Sequence, residues 1–62
     1  MNMTAKEILK LLYEDGWVDK TQKGSHLQLV HPTKSGKVTV AIHKGDMPIG
    51  TLNSILKQAG LK

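Results

Sequence analysis

"QKGSHLQLVH", Gln22 to His31, is the stretch whose reading decides the fold. Its apolar and polar residues alternate: Leu27 and Leu29 fall on one face of an extended chain, and His26, Gln28 and Val30 on the other. Gln22, Lys23 and Gly24 ahead of this run have turn composition, so the stretch predicts a strand over residues 25–31 entered through a hairpin. A short strand from Trp17 to about Thr21 precedes the turn. After the loop "HPTKSGK", Val38, Val40 and Ile42 alternate with Thr39, Ala41 and His43, which predicts a third strand over residues 38–43.

Helical spacing flanks these strands. Thr4 with Glu7 matches a capping box, and Met3 with Ile8 matches the hydrophobic staple across it. Ala5, Ile8, Leu9 and Leu12 then recur on one face, Leu11 widens the stripe, and Gly16 offers a left-handed stop, giving a helix over residues 5–15. At the other end "MPIGTLNSILKQAGLK" sets Ile49, Leu52, Ile55, Leu56 and Ala59 on one stripe, and Gly60 with Leu61 fits a Schellman ending. That helix begins between Met47 and Thr51, with Asp46 a candidate cap and Pro48 suited to the first turn. The fold class is α+β: helix, three-stranded antiparallel sheet, helix. Only one sheet face is apolar, so both helices cover it and the other face meets solvent.

A chain of 62 residues reads as one domain over 1–62. At this size only about 60% of the unfolded surface is buried, so any site is shallow. There is no cysteine, no apolar run long enough for a bilayer and no basic-then-apolar leader, so nothing marks the chain for disulfides, a thiolate metal site or a membrane. The expectation is a soluble cytoplasmic protein that is a monomer when free. Charge is uneven: residues 1–19 carry two lysines and four acids (−2), and residues 20–62 carry seven lysines and Asp46 (+6), summing to +4. A basic surface of this kind favours nucleic acid or an acidic partner protein.

The histidines sharpen this. With a loop of about four residues between the second and third strands, matching the apolar faces sets Leu27 opposite Ile42, Leu29 opposite Val40 and His26 opposite His43, and a slip of two residues would make the two histidines diagonal neighbours on the same face. Two imidazoles side by side on the wet face could divide general acid–base work on RNA, one taking the ribose 2′-hydroxyl proton while the other protonates the departing 5′-oxygen. Lys23, Lys37 and Lys44 at the rims are candidate phosphate contacts, and Gly24 would let the backbone approach the substrate. Ser25 and Gln28, beside His26, complete the candidate RNA-binding set. The bland alternative is a hairpin that carries an exposed imidazole. His31 has the opposite strand parity and no spacing resembles a zinc pattern, so no metal or other cofactor is expected. His31 before Pro32 reads as a strand end.

The whole chain resembles the HicA family of toxin–antitoxin systems. The matching residues are "DGW" at Asp15–Trp17, "KGSH" at Lys23–His26, "HP" at His31–Pro32, "VTVAIHKG" at Val38–Gly45 and "GTLNSILKQAGL" at Gly50–Leu61. The resemblance implies a small messenger-RNA endonuclease with a fold like the double-stranded RNA-binding domain. It also implies His26 as the catalytic residue and a HicB-like antitoxin that forms a hetero-oligomer with the toxin, while His43 as a possible second acid or base rests on the strand register alone. Ala41 departs from the pattern, since the family often has proline there, and this leaves the third strand free to continue to His43. The alternative is a non-catalytic RNA-binding module of the same fold.

Overall fold

The computed structural model describes residues 3–62; Met1 and Asn2, which the single-domain reading includes, lie outside the described residues. The elements are α1 (Ala5–Glu14), β1 (Val18–Lys23), β2 (His26–Val30), β3 (Val38–Ala41) and α2 (Ile49–Gln58). The three strands form one antiparallel sheet in the order β1-β2-β3. This is the α-β-β-β-α order expected from the alternation. No helix among the described residues is long and apolar enough to cross a membrane.

Both ends of α1 are fixed by local chemistry. The Glu7 N–H donates to the Thr4 hydroxyl at 3.2 Å and the Thr4 N–H donates to the Glu7 carboxylate at 3.1 Å, which closes the capping box. At the far end Trp17 N–H reaches the Leu12 carbonyl and Gly16 N–H the Tyr13 carbonyl, each at 3.0 Å, in the Schellman pattern. The motif recurs in α2, where Leu61 N–H bonds the Leu56 carbonyl and Gly60 N–H that of Lys57. α2 starts at Ile49, inside the expected range, but its cap is Pro48 and not Asp46, and no side chain caps the turn. Asp46 instead forms a bridge with Thr4, which ties the segment before α2 to the start of α1.

The core lies between the helices and the inner face of β2 and β3. Ile8, Leu12, Leu29, Val38 and Val40 are fully buried there, with Leu52 and Ile55 from α2. Ile49, placed on the same stripe from its spacing, is 62% exposed at the first residue of α2, and burial on that stripe begins at Leu52. β1 is exposed along its whole length.

A second cluster ties the ends of the elements together, and His31 is at its centre. Its Nδ1 accepts the N–H groups of Thr33 and Lys34 at 3.1 Å each, which leaves Nε2 to donate to the Asp15 carbonyl at 2.7 Å. The ring stands edge-on to buried Trp17, with centroids 5.2 Å apart. Lys34 Nζ donates to the Asp15 carboxylate at 2.6 Å and to the Ala59 carbonyl at 3.0 Å, so one ammonium joins the C-terminal ends of both helices. His31 is therefore a structural latch and more than a strand end.

The hydrogen bond from Lys34 holds the Asp15 carboxyl below its ordinary range against a smaller opposing effect of burial, with the Lys34 charge and the Trp17 N–H adding to the lowering. A folded-state value below the unfolded one stabilises at pH above the unfolded value, about 4, and that stabilisation is lost as pH falls through the folded value. The thermal midpoint should drop on acidification below about pH 4, and Asp15→Asn should flatten that limb while lowering the plateau at neutral pH. Equal acid limbs in a thermal titration of the two proteins would exclude Asp15 as their source.

Candidate active site on the open sheet face

The hairpin between β1 and β2 has two turn residues, Gly24 and Ser25, and closes on the pair Lys23–His26. Gly24 has φ 57°, as a type II′ turn requires of its first central position, and among the described residues only glycines have positive φ. A bulge between Asp19 and Thr21 then shifts the phase of β1. As a result Thr21 and Lys23 face the same side as Gln28 and His26, and Lys23 lies beside the imidazole. These four residues line a shallow cleft of about 330 Å³ on the face away from the helices.

The β2–β3 register corrects the expected one by two residues. His26 pairs with Ala41, Leu27 with Val40 and Leu29 with Val38. The apolar faces still match, since a slip of two preserves the side each residue faces. The loop is longer than four residues because the chain spends residues 31–37 on the His31 latch before β3 begins. His43 therefore does not face His26. β3 ends at Ala41, although no proline stops it there, and the last ladder bond runs from Ile42 N–H to the Ser25 carbonyl at 2.6 Å. His43 lines a different cleft, of about 260 Å³, with Ala5, Ala41, Asp46, Pro48 and Thr51, which includes the strand partner of His26 but none of the residues lining the His26 cleft.

The remaining candidates divide. Gly24 and Ser25 form the turn beside His26, and Lys44 follows His43 past the end of β3 at the same end of the sheet. Lys37 does not reach the region: it precedes Val38, which pairs with Leu29, so it stands at the far end of β2 from His26. Thr21 and Thr39 were not among the expected residues, yet Thr21 lines the His26 cleft and Thr39 pairs with Gln28. Only the bulge brings Thr21 to this face, and a single sequence carries no signal for it. Another cleft, of about 620 Å³, is an open groove along α1 between Lys6 and Glu14 that contains no histidine. Among the described residues no three His, Cys, Asp or Glu side chains converge as metal ligands would.

What the sheet face offers is an exposed imidazole beside an ammonium group. A search among curated proteins finds no match. A family model described as the HicA toxin of bacterial toxin–antitoxin systems matches residues 5–61, from the first residue of α1 to the one after the Schellman glycine. Over almost its full length, then, this α-β-β-β-α chain belongs to the HicA family of toxins, whose members are paired with an antitoxin.

Proposed function

We propose that the protein is a metal-independent endoribonuclease acting on messenger RNA, with His26 as the general acid–base residue. The observation that carries this reading is the exposed His26 at the head of β2, with Lys23 directly opposite it in a cleft open to solvent. His26 takes the proton of a ribose 2′-hydroxyl, and the 2′-oxygen attacks the adjacent phosphorus. The 5′-oxygen leaves with a proton from water, and a cyclic 2′,3′-phosphate remains. Lys23 offsets the charge that builds on the phosphorane oxygens. The nucleophile belongs to the substrate, so the step itself asks for no metal-activated water. The alternative, a non-catalytic RNA-binding module, is less well supported, because the first turn of α2, Ile49–Leu52, carries no charged residue with which to grip phosphate. An antitoxin of the HicB kind would silence the enzyme by covering this face, and the +6 balance of residues 20–62 favours an acidic contact surface on it.

The test is digestion of a defined RNA in excess chelator, with the new ends identified. Cleavage should persist and leave 5′-hydroxyl ends with cyclic or 3′-phosphates; 5′-phosphate ends or full inhibition by chelator would sink the mechanism. In the same assay His43→Ala should slow cleavage less than about threefold, because His43 lines the other cleft. A loss near 10²-fold would return it to the reaction as the acid.

A further inference from the structure

We infer that Gln28, flanked across the strands by Thr21 and Thr39, reads the identity of a base next to the phosphate held at His26. The inference rests on the ribonuclease reading and adds to it the origin of sequence preference. The strand registers place Lys23, His26 and Ala41 in one row across the open face, and Thr21, Gln28 and Thr39 in the next. Same-face neighbours along a strand are about 6.5 to 7 Å apart, so a nucleotide whose phosphate rests at His26 has its sugar and base over the second row.

The second row has the chemistry to read a base edge. A carboxamide presents two donors and an acceptor, and each threonine hydroxyl is both donor and acceptor. The side-chain amides of Gln22 and Gln58 bond to Gly24 and Ser54, whereas that of half-buried Gln28 bonds to nothing among the described residues. It is held in a cleft wall and left unpaired towards solvent. The small side chains of Ala41 and Thr39 on the neighbouring strand leave the face low enough for a base to lie against it.

Equally telling is what this face lacks. Sequence-tolerant single-strand binders rely on aromatic rings, since every base has a π-face. The chain has one tryptophan, one tyrosine and no phenylalanine. Trp17 is buried against His31, and the Tyr13 hydroxyl on α1 donates to Asp19 at 2.6 Å, on the strand position paired with core residue Leu29. No tryptophan or tyrosine is left for stacking on the sheet face. The one ring on the face is the His26 imidazole, which the reaction occupies, so base contacts in the next row are hydrogen bonds from Thr21, Gln28 and Thr39, and hydrogen bonds discriminate among bases.

The experiment is cleavage of a randomised single-stranded RNA by wild type, Gln28→Leu and Gln28→Glu, with the 5′-hydroxyl ends sequenced and thermal midpoints recorded. Wild type should show at least a fivefold base preference at one nucleotide flanking the cut. Gln28→Leu should flatten that preference to within twofold while total cleavage falls less than tenfold. Gln28→Glu, which only accepts hydrogen bonds, should shift the preference there towards guanine, whose N1–H and N2 amino group offer a carboxylate two adjacent donors. A preference unchanged in both variants, or no preference in wild type, overturns the inference and leaves the ribonuclease reading standing. If wild type cuts no RNA at all, that reading fails first and this one with it.

Discussion

Replacing His26 with alanine is expected to slow RNA cleavage by about 10²- to 10⁴-fold, the span that a positioned acid–base group contributes. The fold should not suffer. His26 is exposed, its side chain makes no hydrogen bond among the described residues, and its strand partners Lys23 and Ala41 keep their backbone ladder whatever side chain stands between them. A surface substitution of this kind changes stability by no more than about 0.5 kcal/mol, which in a domain this small moves the thermal midpoint by roughly 2 to 4 °C. Activity and stability therefore separate in one variant. Lys23→Ala should cost less than His26→Ala, since an exposed ammonium is screened by salt and takes no proton in the step. If His26→Ala retained more than a third of the wild-type rate, the imidazole would not be the acid–base group.

What could be read from the sequence followed from period and caps. Alternation of Leu27 with Leu29 and of Val38 with Val40 gave the strands and their buried side, and the Thr4–Glu7 box and the Gly16 and Gly60 endings marked three of the four helix ends. Parity also placed His26 and Gln28 on the open face. Register was not legible, because it depends on how many residues the connections use. Residues 31–37 are drawn down onto Asp15 by His31 and Lys34, which lengthens the β2–β3 connection and moves Ala41, not His43, beside His26. The bulge in β1 had the same effect on the other side, bringing Thr21 and Lys23 to the face by a shift that alternation alone does not encode. The residues that carry the resemblance thus separate into two jobs. "KGSH" builds the site, while Asp15, Gly16, Trp17, His31 and the residues ending α2 build the latch that fixes its frame.

That latch gives the largest expected effect on stability. Gly16 follows the C-cap of α1 at φ 103°, and a β-carbon built there would stand 2.8 Å from His31 Nε2, closer than real β-carbons approach. Gly16→Ala must therefore strain the backbone, at about 1 to 2 kcal/mol, and also displace the imidazole or the helix end. Moving the ring breaks the bond to the Asp15 carbonyl and loosens those from Thr33 and Lys34, each worth about 0.5 to 1.5 kcal/mol, and disturbs the contact with buried Trp17. The sum is about 2 to 4 kcal/mol. A core of this size supplies roughly 3 to 5 kcal/mol, so the variant should be partly unfolded at 37 °C and show a midpoint in denaturant well below wild type. A double-mutant cycle separates the two causes. In a His31→Ala background the ring is gone, and Gly16→Ala should cost only its backbone strain, so the two substitutions together are less damaging than their sum by about 1 kcal/mol or more. Strict additivity would mean that Gly16 is needed for its dihedral angle alone and that the close approach of His31 places no demand on it.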